Sequence, residues 1–313
     1  MRVLVTGASG FIGGATCRQL LEQGQEVVAL VRREGSEPAG TSAVRGHLGE
    51  DGGLDAALAQ ARPDCVIHLA AEIASQRSER RLREVNVGGT KRLLAACAAL
   101  EPNGGAPRFV FSSTVVTGDA RGDLLSEDRP LPVQTPYGRT KQEGERMVLE
   151  SGLPAVIVRP SHVYGPGGWY AHELVPRLRQ PGRFAVIGSG SNLWDVVHVH
   201  DVAAALVEAA DPHGPAGSIY HVVDDEPITF YEFMVLTAQA LGVGRPRRIP
   251  ALVARLAAGS NAVDAVVRSA RSSNAKIKRE LGWSPRFATA HEGVPDAIAR
   301  LVAAGAAGDA GNA

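Results

Sequence analysis

The sequence predicts an α/β fold, a doubly wound parallel sheet with a smaller, mostly helical C-terminal region. Three observations predict it. Apolar runs with neither face polar (RVLVTG, EVVALV, CVIHLA, RFVFSS and PAVIVRP) read as strands covered on both sides. Helical stretches at 12–23, 53–61, 78–100 and 137–151 separate them, and strand–helix alternation at this spacing builds a parallel sheet. After Pro160 the rhythm breaks into SHVYGPGGWY, rich in Gly, Pro and aromatics, and such loops line sites.

Taken in order, and with VRGHLGE as the third, at least six strand candidates lie before residue 160, and right-handed crossovers place their helices on both faces. Residues 1–160 therefore read as one nucleotide-binding-type domain. A strand and helix return at DVVHVHDVAAALVEAA and a strand at SIYHVVDD, so a segment of about 192–225 is assigned back to it. Residues 161–191 and 226–305 form the second, substrate-binding region, helical from Thr229 to about Leu301 apart from RPRRIP, which reads as a solvated basic loop. The end, AAGAAGDAGNA, has little to bury, and 306–313 is expected to be a disordered tail.

Composition narrows the function. The 313 residues carry 33 Lys plus Arg against 33 Asp plus Glu, so no net charge argues for nucleic acid or an anionic membrane as partner. Hydrophobic residues at 44% and charged residues at 21% exclude a disordered or collagen-like chain. Cys17, Cys65 and Cys97 are widely spaced and odd in number, which indicates neither a disulfide framework nor a zinc site and fits a cytoplasmic location. No metal site is expected, since His198 and His200 lack neighbouring ligands. No apolar run reaches the length of a membrane span.

The first strand runs into Gly7-Ala8-Ser9-Gly10-Phe11-Ile12-Gly13 and then a helix. One glycine permits positive φ, one lets backbone approach a pyrophosphate, and one lets helix and strand pack closely. With the positive end of the helix dipole behind it, this is a dinucleotide turn of Rossmann type, spaced GxxGxxG. The second strand ends Leu30-Val31-Arg32-Arg33, without the acid that takes both ribose hydroxyls in NAD enzymes. Two guanidinium groups there suit a 2′-phosphate, so NADP is preferred and NAD remains possible.

Tyr137 and Lys141 stand four apart in a helical segment and share a face. An ammonium beside a phenol favours the phenolate, so the lysine is expected to lower the tyrosine pKa into acid/base range. The pair follows RFVFSST by about two dozen residues, where a hydroxyl at a strand end could meet the tyrosine.

TGASGFIG, HLAA, EVNVGGT, RFVFSSTVVTG, YGRTK, VRPSHVYGPG, DVVHVHDVAAAL and LGWSPRF, in this order over roughly residues 1–300, resemble the extended short-chain dehydrogenase/reductase superfamily, the NAD(P)-dependent epimerase/dehydratase group. The resemblance implies that Thr114 hydrogen-bonds a substrate oxygen, Tyr137 moves its proton, and Lys141 holds the nicotinamide ribose. It implies cofactor contacts from Gly7, Ser9, Gly10, Phe11, Ile12, Gly13, Arg32, Arg33, His47, Leu48, Leu69, Ala70, Ala71, Asn86, Ser112, Pro160 and Val163 as well as Tyr137 and Lys141. Substrate contacts are expected from Glu72, His162, Trp169, Tyr170 and Trp194. It also implies a homodimer through the helices around 80–100 and 137–151.

Departures from the family pattern separate the possible reactions. Val115 and Val116 follow Thr114 where dehydratases carry an Asp-Glu pair, which argues against elimination. In Asn192-Leu193-Trp194-Asp195, Trp194 stands where many sugar-nucleotide members place an arginine, and an indole closes an apolar pocket but does not neutralise a diphosphate. The reading is an NADP(H)-dependent oxidoreductase interconverting a ketone and a secondary alcohol on a small, partly apolar metabolite. An NAD-dependent nucleotide-sugar epimerase is the alternative, with phosphate contacts from Arg177, Arg179 or Arg183, and a nicotinamide sensor without turnover is the third.

Overall fold

A computed structural model describes residues 1–73, 75–100, 106–180, 182, 184–258 and 268–310. Seven parallel strands form the central sheet: β1 (Arg2–Thr6), β2 (Glu26–Val31), β3 (Ser42–Arg45), β4 (Cys65–His68), β5 (Arg108–Ser112), β7 (Ala155–Pro160) and β12 (Ser218–Val222). Their order is β12-β7-β5-β4-β1-β2-β3. Val3 stands beside Val27 on one side and Cys65 on the other, so the strand order reverses at β1 and opens a crevice at its C-terminal end.

Each face of the sheet has its own helices and core. On one side α1 (Phe11–Glu22) and α7 (Val199–Ala209) bury Val3, Val5, Ile67, Val110, Val158 and Leu206. On the other, α2 (Leu54–Ala61), α4 (Thr90–Ala98) and α5 (Pro136–Glu150) cover Leu4, Val66, Phe109 and Phe111. Complete burial of such a side chain stabilises by about 1.5–3 kcal/mol, which is why continuous apolar strands sit between two helical layers. Cys17, Cys65 and Cys97 are free and buried in these layers.

A third core gathers Tyr164, Tyr170, Leu174, Phe233, Met234, Val294 and Ile298. It is built by β8 (His162–Tyr164), α6 (Val175–Arg179), β9 (Ala185–Ile187), β10 (Leu193–Trp194), β11 (Val196–His198), β13 (Ile228–Thr229), α8 (Phe230–Ala240) and the C-terminal helix Ala290–Ala310, while β14 (Arg247–Ile249) and α9 (Ala251–Ala258) follow α8. Two-stranded pairs join β8 with β11, β10 with β13, and β9 with β14. After α9 come β15 (Arg271–Ser272), paired with β6 (Leu124–Leu125), then α10 (Ala275–Leu281) and α11 (Ala290–Ala310).

Four sequence expectations change. The helix expected over 78–100 is three pieces, α3 (Glu79–Leu82), a π-helical stretch at Arg83–Gly89, and α4. The basic segment RPRRIP forms β14, because backbone pairing with β9 satisfies it. Residues 226–305 do not all join the third core: Ile277 and Trp283 pack with α1 and α7. The Trp283 indole donates to the Asp201 carbonyl at 3.0 Å, and the Asp201 carboxylate accepts from the backbone of Arg286 and Phe287. Finally α11 runs through Ala310, into the segment expected to be tail; residues 311–313 lie outside the described residues.

Candidate active site

The glycine turn is shaped by what a side chain would hit. Gly7 has φ +69°, and a Cβ there would lie 2.8 Å from the Ala70 amide. A Cβ on Gly13 would lie 2.1 Å from the Gly7 carbonyl, so α1 packs against the turn only with glycine there. Gly10 opens α1 with no side-chain cap, and Ser9 and Gly10 are exposed. The first amides of α1 therefore have no intrahelical acceptor and face outward with the dipole, the donor set a pyrophosphate takes. Phe11 lies over the neighbouring loop: Cβ atoms on Gly167 and Gly168 would each come within 2.7 Å of its ring.

Behind the turn, the end of β4 is pinned by a polar chain. The Thr6 hydroxyl accepts from the Leu69 and Ala70 amides and donates to His68 Nδ1 at 2.7 Å. His68 Nε2 then donates to Thr90 Oγ1 at 3.0 Å, and Thr90 donates to the Asn86 carbonyl. This order fixes the Nε2–H tautomer, and burial pushes the imidazole pKa down to about 3, so it stays neutral.

Asn86, expected at the cofactor, is buried. Its amide donates to the Glu72 carbonyl and Thr140 Oγ1 and accepts from the Glu72 amide, so it ties the loop after β4 to α5. The π-helical stretch turns it inward, an interruption that a helical pattern conceals. Glu72, expected at the substrate, has its carboxylate 3.1 Å from Arg81.

At the end of β2, Arg32 and Arg33 are exposed and have no ion pair among the described residues. His47 is exposed, with Nδ1 accepting from the Gly49 amide. Leu48 is only 8% exposed and packs against Gly89, so of that pair the histidine alone is open to a ligand.

Thr135 caps α5 by accepting from the Gly138 amide, and Pro136 occupies its first turn, which starts the helix just before Tyr137. Gly144 lets α5 sit on β5, since a Cβ there would meet the Phe111 ring at 2.8 Å. Lys141 is thereby buried, its Nζ 4.1 Å above that ring. Burial drives Lys141 down to about 7 despite the opposing pull of Glu145, and drives Tyr137 up to about 12. The expected lowering of the Tyr137 pKa is not seen: desolvation outweighs a lysine whose own charge is weakened, and the phenol is a neutral proton donor.

Beyond β5, Ser112 is half-buried and Thr114 is buried. Thr114 Oγ1 donates to the Pro160 carbonyl at 3.2 Å and accepts from the Val116 amide at 2.9 Å. Two residues past Pro160, the half-buried His162 lies against Trp194, ring centroids 4.2 Å apart, with Nδ1 3.0 Å from the Asp195 carbonyl. Trp194 also meets Trp169, Phe230 and Phe233 edge-on, and the Trp169 indole donates to the Val163 carbonyl. These rings make a half-buried aromatic wall continuous with Thr114 through Pro160. Tyr170, expected in that wall, is fully buried behind it, its hydroxyl donating to Thr237, because the π-helical turn at Tyr170–Leu174 faces it into the core.

Two features escaped sequence reading. Arg268 is half-buried and lies close enough for its charge to help hold His162 at about 4. Glu145 on α5 and Arg159 on β7 form a buried ion pair. Their partners stand far apart in sequence, so no local spacing announces either. Among the described residues no group of three or more His, Cys, Asp or Glu could hold a metal ion, and no helix is long and apolar enough to cross a membrane.

Comparison with known proteins agrees with this geometry. Residues 3–222 match the model of the NAD dependent epimerase/dehydratase family. A 3-diazoavenalumate denitrifying reductase from a Streptomyces species is 29% identical over 307 residues, covering 94% of this chain and 99% of that protein. The 2-alkyl-3-oxoalkanoate reductase of Stenotrophomonas maltophilia (strain K279a) is 33% identical over 264 residues, 78% of this chain and 77% of that one. The solved complex of Thermus thermophilus UDP-glucose 4-epimerase with NAD matches with a TM-score of 0.80 at 27% identity, covering 97% and 100% of the two chains. With its glycine turn, a Tyr137–Lys141 face on one helix and a seven-stranded parallel sheet, this chain belongs to the NAD dependent epimerase/dehydratase family and is an NAD(P)-dependent extended short-chain dehydrogenase/reductase.

Proposed function

We propose that the protein is an NADP(H)-dependent oxidoreductase that interconverts a ketone and a secondary alcohol on a small, partly apolar metabolite. The observation that carries this reading is the aromatic wall: Trp194 against a neutral His162 at 4.2 Å, joined to Thr114 through Pro160, offers an oxygen-bearing apolar molecule a surface and a hydroxyl. The similarity to a 2-alkyl-3-oxoalkanoate reductase supports it.

The roles follow from the side chains. Nicotinamide, when bound, supplies or accepts the hydride. The open amides at the start of α1 and the turn at Gly7, Gly10 and Gly13 would hold its pyrophosphate, with Arg32 and Arg33 on a 2′-phosphate. Thr114 rotates its hydroxyl from the Pro160 carbonyl to the substrate oxygen. Tyr137, neutral up to about pH 12 in the protein alone, donates the proton on reduction, and Lys141 holds the ribose.

A second reading, a nucleotide-sugar epimerase, is favoured by Arg268 beside the wall and by similarity to the Thermus enzyme. A titration with NADPH, NADH and UDP-, GDP- and TDP-sugars, followed by nicotinamide fluorescence and thermal shift, separates them. Tight NADPH binding with no response to sugar nucleotides supports the reductase. A firm response to one sugar nucleotide, with NAD retained on purification, replaces it by the epimerase.

A further inference from the structure

The face of the sheet beneath α5 holds a buried row of ionisable groups. Arg159 spans the gap between strand and helix, its Nε donating to Glu145 Oε1 at 2.8 Å and its Nη2 to Oε2 at 2.6 Å. Both side chains are less than a tenth exposed. The remaining Arg159 nitrogen lies 3.4 Å from His221 Nε2 on β12, which accepts, so that imidazole is neutral as well. Glu145 in turn stands one helical turn after Lys141 and two after Tyr137 on α5, so all three share a face.

The charges that reach Lys141 come from few directions. On its own helix there are Tyr137 and Glu145. From β4 comes His68, neutral and already bonded at both nitrogens, and from β5 the Phe111 ring directly beneath the ammonium. From β7, Arg159 stands against Glu145. Glu145 is thus the carboxylate that bears on Lys141, and Arg159 occupies both of its oxygens.

We propose that Arg159 is a positioning residue that acts through Glu145: by clamping both carboxylate oxygens it holds the counter-charge away from Lys141 and so sets how strongly the lysine keeps its proton beside Tyr137. A buried pair of this kind adds little stability over apolar side chains of the same volume, so stability alone gives weak reason for it. A fixed charge one helical turn from a buried lysine gives it an electrostatic purpose. The inference rests on the assignment of Tyr137 and Lys141 to the active site, and its test does not depend on turnover.

The chain has only four lysines, Lys91, Lys141, Lys276 and Lys278, so lysine labelled with carbon-13 at Cε yields few NMR signals, and the one lost in Lys141→Arg is assigned directly. The Lys141 signal in the intact, cofactor-free protein is titrated from pH 5 to 11. Glu145→Gln removes the counter-charge and leaves the Arg159 cation, so Lys141 should titrate about one pH unit lower than in the unaltered protein. Arg159→Met releases the carboxylate to the lysine, and Lys141 should titrate about one unit higher. The double variant carries neither charge, folds without a buried unpaired ion, and should fall between the two. Arg159→Lys, which keeps the charge but not the two-point clamp, should move part of the way towards Arg159→Met. A Lys141 midpoint that does not fall in Glu145→Gln, or that does not rise in Arg159→Met and Arg159→Lys, overturns the proposal and leaves the pair a packing feature. Turnover surviving in Tyr137→Phe would instead remove the catalytic assignment without touching these midpoints.

Discussion

The two sides of the cleft are built by different means. On the side proposed to hold the cofactor the backbone makes the shape: Gly7 at positive φ, Gly13 with no room for a Cβ, and amides left open at the start of α1. On the side proposed to take the substrate the shape comes from side chains, with His162, Trp169, Trp194 and Phe230 leaning on one another across two short strands, a helical turn and the start of α8. Their buried polar groups differ too. Thr6, His68, Thr90 and Asn86 form a closed chain of hydrogen bonds behind the turn. Where the sheet meets the aromatic core, Tyr164, Asp195 and Asp224 are buried, and burial holds both carboxyls well above the usual carboxylate range. The difference teaches that one side is fixed by local backbone chemistry and the other by long-range packing.

Five changes break or sharpen that contrast. The largest is at the meeting point of the two sides: Tyr137→Phe should cut turnover about 1000-fold, within the range for loss of a general acid. Nicotinamide affinity should change less than about twofold, because the phenol is not part of the backbone cradle; steady-state kinetics with a fluorescence titration checks both. Next, Gly13→Ala places a methyl against the Gly7 carbonyl, and the turn must shift. Cofactor affinity should fall about 100-fold with a lower Tm, by titration and thermal melt.

Replacing Arg32 and Arg33 by Ala should weaken NADPH about 10- to 30-fold and NADH less than about threefold. Parallel titrations show whether the two arginines read the 2′-phosphate; equal losses would mean that they do not.

Acid should strain the two sides unequally. Buried His68 and His221 sit near 3 in the fold and titrate near 6.5 when unfolded, so the unfolded chain binds more protons between those values. Their contribution is present above 6.5 and lost as pH falls towards 3, together about 1–2 kcal/mol between pH 7 and 6. At the junction His162 and His198 behave alike, but Asp195 near 7 and Asp224 near 9 are raised and favour the folded state as pH falls. Amide exchange at pH 7 and 6, corrected for intrinsic rate, should show the strands under α5 losing more protection than the junction.

The smallest effect is at the wall. Trp194→Leu keeps apolar surface but loses the ring contacts, so KM for an apolar ketone should rise about fivefold with kcat and cofactor affinity little changed.

What the sequence shows follows the same division. The glycine turn, the arginines after β2 and the Tyr–Lys spacing are each a local pattern written in nearby residues. Trp194 was readable by its place before Asp195. Tyr170 was not, since its neighbours cannot tell which way a turn faces when the backbone passes through a π-helical stretch. Asn86 was found without its protein partners for the same reason: the stretch at Arg83–Gly89 keeps a helical pattern while turning the amide towards Glu72 and Thr140. Glu145, Arg159 and His221 lie on three elements that only the sheet order brings together.

The path of the chain through β7 and back at β12 has a consequence for how this molecule can be cut or varied. The aromatic elements between residues 161 and 198 are a loop thrown out from the sheet and returned to it, and the later segment that completes them comes back again to bury Ile277 and Trp283 beside α1 and α7. No single break in the chain separates the seven-stranded sheet with its helices from the aromatic core. Removing everything after Asp225 would take Trp283 and Ile277 out of the core that supports the glycine turn, so a truncated half would forfeit much of its own interior. New substrate preferences are therefore accessible by exchanging loops within the chain, and not by trading whole C-terminal segments between relatives.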